Sequence, residues 1–372
     1  MKVLQVGKFY PVRGGVEKVM YDLMIGLSGQ GIYCDMLCTA SEDHPPGTSV
    51  INSYAQLICV PALMKLSATM IAPAMISKLK GICANYEIIH IHHPDPMACV
   101  ALFMSNYKGK VILHWHSDIL KQKLLLKIYA PFQKWMIKRA DLIVGTSPVY
   151  VAESPFLTNY QNKTNFIPIG IERINPVQER VDKIRHTFAN KKIIFSLGRL
   201  VEYKGYEYLI KASQYLSDDY VILIGGKGPL RDELLALIAQ YNLQDKVKLL
   251  GYVSDEDIPG YYGACDIFCL SSIIKTEAFA IVQIEAMSCG KPVVSTQIPG
   301  SGVSWVNAHG QSGIIVEIQN EKALGEALER VGTEEVLYQT LKEGAKRRFN
   351  ENFTQQNMVE KAIMFYESLI WN

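Results

Sequence analysis

The stretch Lys275-Thr-Glu277-Ala-Phe279-Ala280-Ile281-Val282-Gln-Ile-Glu285-Ala-Met-Ser-Cys-Gly290-Lys-Pro292 places two glutamates eight residues apart around an apolar run that ends before a proline. If helical throughout, eight residues rise about 12 Å, comparable to the span from a sugar to a ribose in one extended ligand. Glu285 lies inside the apolar run, where an unpaired carboxylate is costly, so a bonding partner is expected for it. A helix beginning near Ala278–Ala280 would aim its first N–H groups at an anion. The ordinary alternative is two unrelated glutamates on an amphipathic helix.

Ser196-Leu-Gly198-Arg199-Leu-Val-Glu-Tyr-Lys204-Gly205 sets two cations five residues apart beside a glycine turn. Arginine binds a pyrophosphate as a fork and lysine as a point charge; a solvated charged loop is the bland reading. Ile224-Gly225-Gly226-Lys227-Gly228-Pro229 resembles part of a dinucleotide fingerprint without its full spacing. Leu250-Gly251-Tyr252-Val253 could lay backbone and apolar side chains against a nucleobase. Near the N-terminus, Lys8-Phe-Tyr-Pro-Val-Arg-Gly14-Gly15-Val-Glu17 opens a helical stripe. Its paired glycines either offer free N–H groups to a diphosphate or serve a tight turn with positive φ.

Histidines gather at apolar runs in His90-Ile-His92-His93 and His114-Trp-His116-Ser-Asp118. Alternation puts each of the pairs 90/92 and 114/116 on one strand face. Zinc would need such imidazoles to converge and usually recruits a carboxylate or cysteine at recognisable spacing. None appears, so no metal is expected and one histidine is read as a polar cleft group. From Leu120 to Arg139 there are six Lys and Arg and no acid among Leu, Ile, Phe and Trp. That suits peripheral contact with anionic lipid or an acidic acceptor, or a solvated helix whose lysine stems cover a core edge. No nucleic-acid motif accompanies it, and Pro131 is expected to kink or split the helix.

These residues need a scaffold that brings strand ends together. Candidate strands are Lys2–Val6, Ile88–Ile91, Val111–Trp115, Leu142–Gly145, Ile193–Leu197, Val221–Ile224, Val247–Leu250, Ile267–Leu270, Val293–Ser295 and Ile314–Val316. Near-continuous apolar runs alternating with helical stripes indicate an α/β chain with buried parallel sheets. The pattern restarts after an irregular, charged stretch from Pro168 to Ala189, the candidate linker. The expected organisation is residues 1–170, residues 171–352, and a closing helix at 353–372 that packs back on the first domain. The 372 residues suffice for two cores. Residues 1–166 hold 16 Lys and Arg against 10 Asp and Glu, and the remainder 22 against 26, which suggests different binding duties. Eight cysteines without a C-x-x-C or a leader read as reduced, buried thiols in a cytoplasmic protein. No apolar run reaches spanning length.

Together the loops resemble glycosyltransferase family 4, retaining enzymes of the GT-B architecture with two doubly wound Rossmann-like domains facing across a cleft. Gly14-Gly15-Val16-Glu17, Gly198-Arg199 with Lys204-Gly205, Gly226-x-Gly228-Pro229 and Glu277-x7-Glu285 carry the resemblance over nearly the whole chain. It implies a nucleotide-diphosphate sugar as donor substrate and no cofactor. Arg199 and Lys204 would hold the diphosphate in the role that a divalent metal plays in other glycosyltransferases. Glu285 would bind the ribose, and Glu277 the sugar hydroxyls. Backbone from Phe279, Ala280, Ile281 and Val282, with Gly15, Gly226, Gly228 and Val253, would line the donor. His116 would be the cleft histidine, with His114 the alternative and Asp118 orienting whichever acts. The tail Pro299-Gly-Ser301-Gly302 through Gly310 resembles enzymes of bacterial surface polysaccharides, often mannosyl donors, which makes GDP-mannose the first expectation and a UDP-sugar the second. Ser301 departs from the threonine of the nearest patterns. The acceptor would be a glycan or lipid-linked oligosaccharide. A nucleotide-sugar 2-epimerase and a non-catalytic sugar-nucleotide-binding subunit are the competing classes.

Overall fold

The computed structural model describes residues 1–66, 69–119 and 123–371, and only the backbone at residues 66, 69 and 123–126. The chain divides into two compact units, one formed by residues 1–170 with 355–372 and the other by 171–354.

In the first unit the strands are β1 (Lys2–Tyr10), β2 (Tyr33–Ala40), β3 (Gly47–Asn52), β4 (Ala55–Val60), a small hairpin of β5 (Met64–Leu66) and β6 (Thr69–Ile71), β7 (Ile88–His93), β8 (Lys110–Trp115), β9 (Leu142–Gly145) and β10 (Thr164–Phe166). The sheet runs β10-β9-β8-β7-β1-β2-β4-β3. All its neighbours are parallel except the edge pair β3–β4. Chain order reverses between β1 and β7, the point where ligands of doubly wound sheets bind, outside the carboxyl ends. β1 extends past its expected end through a register shift between Val6 and Phe9, where Gly7 and Lys8 both have positive φ. β2 and β4 had not been expected. In β2 the Cys, Met and Leu residues lack the β-branched enrichment that marks a strand.

The apolar stripe of helix Gly15–Gly29 buries Val19, Met20, Leu23, Met24 and Leu27, each burial being worth about 1.5–3 kcal/mol. The C-terminal helix Gln355–Trp371 belongs to this unit and buries Met358, Val359, Ala362, Phe365 and Tyr366. The two helices pack closely at Gly26, where a Cβ would stand 2.3 Å from Val359 Cγ2. Helix Lys123–Arg139 runs on through Pro131 without splitting, contrary to expectation. It buries Tyr129, Gln133, Met136 and Ile137 and exposes Lys127, Lys134 and Lys138. The first three residues of the basic segment lie outside the described residues.

The second unit holds β11 (Lys192–Leu197), β12 (Tyr220–Gly225), β13 (Val247–Gly251), β14 (Ile267–Leu270), β15 (Val293–Gln297) and β16 (Gly313–Glu317). All are parallel, in the order β13-β12-β11-β14-β15-β16, with the reversal between β11 and β14. Ile194, Ile222, Ile224, Ile267 and Val294 join Leu209, Leu324 and Leu328 from the covering helices in one core. The stretch read as a linker is folded into this unit. Ile171 pairs with Thr354, Arg173 donates to Ser288 O at 3.0 Å, and residues 178–187 form a helix. That helix buries no side chain, so it carries no apolar stripe to announce it. All eight cysteines are free, and only Cys289 is not fully buried. Among the described residues no helix is long and apolar enough to cross a membrane.

The closeness at Gly26 gives a test. A valine there must push against a β-branched methyl on a packed helix, so Gly26→Val should destabilise the first unit by about 1–3 kcal/mol, read as a lowered Tm. An unchanged Tm would show that the C-terminal helix can shift without penalty.

Candidate functional site

The second unit's site is built where β11 and β14 end. Past β11 the chain makes a short turn at Glu202–Lys204 and leaves it through Gly205 at φ +60°. A Cβ on Gly205 would lie 2.3 Å from Ser271 O, so glycine lets this turn rest on the end of β14. Ser271 Oγ donates to Lys204 O at 2.9 Å, and Ile273 N donates to Tyr203 O at 2.8 Å. Thus held, Lys204 reaches back over Gly198, where a Cβ would meet its Cε at 3.0 Å. Its Nζ lies 2.5 Å from Glu277 Oε2, with the two side chains 10% and 11% exposed. The same carboxylate oxygen accepts from Ser272 Oγ at 2.9 Å. Ser301 Oγ donates to the Glu277 carbonyl, and Gly302 N donates to Ala278 O at 2.9 Å. The serine that departs from the expected threonine therefore supplies a hydroxyl that anchors Glu277.

The eight-residue spacing of Glu277 and Glu285 is not a helical one. Helix Ile281–Ser288 starts four residues after Glu277, and Ala280 before it has φ 63° and ψ 78°. A non-glycine residue in this region costs on the order of 1–3 kcal/mol and survives only where its surroundings hold it. Here Phe279 and Ala280 are buried, and Gln283 Nε2 donates to Phe279 O at 3.3 Å. The opened turn leaves the N–H groups of Ile281 and Val282 at a helix start, without intrahelical acceptors. Glu285 has the partner its apolar setting demands. Tyr262 donates to its Oε2 at 2.7 Å and to Val282 O at 3.3 Å. Burial, then the Glu285 charge, push the Tyr262 ionisation well up, so it stays a donor. Tyr262 and Ser271 went unseen in the sequence, since no local pattern marks a partner 20 or more residues away, and Ser272, five residues from Glu277, carried no signal of its own.

Gly226 and Gly228 have a plain backbone reason. Cβ atoms there would fall 1.8 Å from Gly198 O and 2.2 Å from Leu200 O, so the β12 loop lies directly on the β11 loop. Gly226 N–H already donates to Gly251 O at 2.7 Å. Val253 is buried beside them, and Tyr252 is 65% exposed with Lys227 Nζ 5.0 Å above its ring. Arg199 is exposed, its guanidinium 3.5 Å from Tyr203 Oη.

In the first unit, Lys8 sits at the irregularity within β1, and β7 ends at His93, ahead of Pro94-Asp95. Lys8 Nζ donates to Pro94 O at 2.6 Å, and its N–H donates to Asp95. Asp95 also caps helix Pro96–Ser105 through the N–H groups of Met97 and Ala98. Gly14 is extended at φ −147°, not in the positive-φ state a tight turn would need. The Glu17 side chain folds back on it, since a Cβ at Gly14 would stand 2.6 Å from Glu17 Oε2. The free N–H groups expected at Gly14-Gly15 thus face the chain's own carboxylate, with Gly14 and Glu17 N–H groups bonding it. Burial raises the Glu17 pKa, opposed first by the charge of Lys8. Gly15 begins the helix behind it.

His90, His92, His114 and His116 form one cluster of near-parallel rings on adjacent strands. Ring centroids are 4.7 Å apart for His90–His92, 5.1 Å for His92–His116 and 4.0 Å for His114–His116, with planes within 17°. Nitrogens of His90, His92 and His114 lie within 4.8 Å of one another. Both ring nitrogens of His92, however, are already engaged, by His116 and by Gln5, which leaves that ring no lone pair for a metal. Burial holds every member neutral, with His114 depressed to about 3. His114 is wholly buried while His116 keeps 5% of its surface exposed. His93 points to the opposite sheet face, stacked 3.8 Å from Trp115. Asp118, expected to orient a histidine, instead accepts from Trp115 Nε1 at 2.8 Å and from Ser154 Oγ at 2.7 Å. The partner of His116 is His92, Nε2 to Nδ1 at 2.8 Å.

Both units find counterparts among known proteins. A family described as "Glycosyltransferase Family 4" matches residues 13–172, and one described as "Glycosyl transferases group 1" matches 177–348. O-antigen chain mannosyltransferase C of Escherichia coli is 32% identical over 100% of this chain and 99% of its own. D-rhamnosyltransferase WbpZ of Pseudomonas aeruginosa is 29% identical over 95% of this chain and 92% of its own. Among solved structures, sucrose-phosphate synthase of Thermosynechococcus elongatus superposes with TM-score 0.81 at 20% identity, over 100% of both chains. HepE of Anabaena in complex with UDP does so with TM-score 0.79 at 20% identity, over 99% and 100%.

The Lys204–Glu277 pair makes a prediction that needs no substrate. Lys204→Met or Glu277→Gln alone leaves a buried charge unpaired and should destabilise by about 3–5 kcal/mol. The double variant should lose less than the sum by at least about 1 kcal/mol. A denaturant double-mutant cycle with additive losses would show the two charges to be uncoupled.

Proposed function

As a member of glycosyltransferase family 4, the chain is a sugar-transferring enzyme with the GT-B fold, and from that premise we propose its reaction. It moves a hexose, mannose first, from a nucleoside-diphosphate donor to a glycan or lipid-linked acceptor, with retention, in the assembly of a bacterial surface polysaccharide. Support comes from the names of two relatives, an O-antigen mannosyltransferase and a rhamnosyltransferase. GDP-mannose is accordingly the first donor to try.

The observation that carries this reading is the buried Lys204–Glu277 pair beside Arg199 at the β11/β14 reversal. In transfer, the bond from the anomeric carbon to the diphosphate oxygen breaks and charge builds on the departing nucleotide. Arg199 and Lys204 are fixed cations that stabilise that charge, and N–H groups at Ile281 and Val282 add to them. The acceptor oxygen bonds the same face of the anomeric carbon and its proton passes to the departing phosphate oxygen. Glu277 takes hydroxyls of the transferred sugar, His116 takes another, and Glu285, oriented by Tyr262, takes the ribose. Tyr252 and Val253 lie where the base is assigned. Two side-chain cations in the place of a divalent ion support a metal-independent reaction. Exposed Lys127, Lys134 and Lys138 support peripheral contact with anionic lipid on the cytoplasmic face.

The test is a donor screen of purified protein with GDP- and UDP-sugars and a bacterial membrane lipid extract. Transfer from GDP-mannose that survives EDTA is expected. Strict dependence on added Mn²⁺ would remove the metal-free part, and donor turnover without acceptor would indicate an epimerase. Arg199→Ala should lower kcat by about 10²–10³-fold, with the protein's Tm unchanged because the side chain is exposed.

A further inference from the structure

His116 is the end of a buried chain of polar groups that reaches the C-terminal helix. Its Nε2 lies 2.8 Å from His92 Nδ1, and His92 Nε2 lies 2.7 Å from Gln5 Oε1. Gln5 Nε2 donates to Tyr366 Oη at 3.1 Å, and Tyr366 Oη lies 2.7 Å from His90 Nδ1. Gln5, His90, His92 and Tyr366 are completely buried. Such a chain has a direction. A carboxamide oxygen only accepts, so His92 Nε2 carries the hydrogen. Burial keeps His92 neutral, so its Nδ1 is bare and must accept. The hydrogen in the contact between the two histidines then belongs to Nε2 of His116, which is neutral for the same reason. Its Nδ1 is left as a lone pair on the ring that retains the residual exposure.

We propose that His92, Gln5 and Tyr366 are positioning residues that lock His116 as the Nε2–H tautomer, so that it meets the transferred sugar as a hydrogen-bond acceptor. A histidine held this way receives a hydroxyl hydrogen and donates none, because which ring nitrogen is protonated follows from the bond made by the other. Tyr366 gives the C-terminal helix a part in this, as its phenol donates to His90 and accepts from Gln5. The proposal rests on the assignment of His116 to the sugar, and its first readout is independent of that assignment.

The experiment is ¹⁵N NMR of the full chain labelled at histidine, with the His116 signals identified by their loss in His116→Asn. Wild type should show His116 as Nε2–H alone. His92→Phe keeps the stacked ring but removes the acceptor, and Gln5→Leu frees His92 to turn; either should give a mixture of His116 tautomers. Transfer should then fall about 10- to 100-fold in kcat, with the donor KM within about twofold. A His116 signal of Nδ1–H in wild type overturns the proposal, as does an unchanged tautomer in His92→Phe. If His92→Phe does not fold, the tautomer in Gln5→Leu decides. A tautomer that changes while kcat stays constant also overturns it. Absence of transfer by wild type with every donor would instead remove the assignment of His116, leaving the tautomer result standing.

Discussion

Two opposite charges taken out of water lose more solvation than their attraction returns unless geometry and further hydrogen bonds are good. The Lys204–Glu277 pair meets that condition only because several backbone features converge on it. Gly205 must turn left-handed for Lys204 to lie on Ser271, Gly198 must lack a side chain for the ammonium to pass, and Ser272 must share the carboxylate oxygen. Ser301 and Gly302 then hold the peptide of Glu277 and Ala278 from the far side. The cation near the proposed diphosphate is therefore built into the crossing of β11 and β14 and does not depend on a flexible surface side chain. That is what preorganisation requires of a group meant to stabilise developing charge.

The strained Ala280 belongs to the same construction. A straight helix from Glu277 would bury its first N–H groups in the preceding turn. Breaking it at Ala280 starts a new helix at Ile281 and keeps Glu277 free to pair with Lys204, while Glu285 points where Tyr262 can hold it. The strain of one residue is offset by the burial of Ala280 itself and of Phe279 before it, as expected where a backbone is shaped for a ligand.

What could be read from the sequence followed from whether a feature was local. Ten strands were visible as β-rich apolar runs, and all ten are present, because a buried parallel strand imposes that composition on its own residues. β2 escaped because cysteine, methionine and leucine pack the same space without β-branching. The helix at 178–187 escaped because it buries nothing. Arg199 and Lys204 stood out through their place after a strand, Glu277 and Glu285 through their spacing around an apolar run, and the structure brings Lys204 and Glu277 into contact. Their supports did not stand out: Tyr262 lies 23 residues from Glu285, and Ser301, noted only for departing from a threonine, lies 24 from the Glu277 it anchors. Nor could spacing tell that Glu17 would face its own helix start, or that Asp118 would bond Trp115 on the opposite strand face from His116.

The two reversal points deal with buried polarity in different ways. In the second unit charge is kept and paired, so the site can meet a diphosphate with a cation whose counter-charge is already in place. In the first unit burial strips the charge from a cluster of imidazoles, and along the bonded run from Gln5 to His116 what remains is direction: His92 must donate from one nitrogen and accept at the other. Neutral imidazoles in a chain cannot choose their tautomers independently, since two donors or two acceptors facing each other would leave a buried group unsatisfied. A single fixed acceptor, the Gln5 carboxamide oxygen in the middle of the sheet, therefore sets the hydrogen on a ring two bonds away. This makes a residue with no reach to the surface a determinant of what His116 can do, and it gives a reason for a fully buried glutamine in the middle of the sheet.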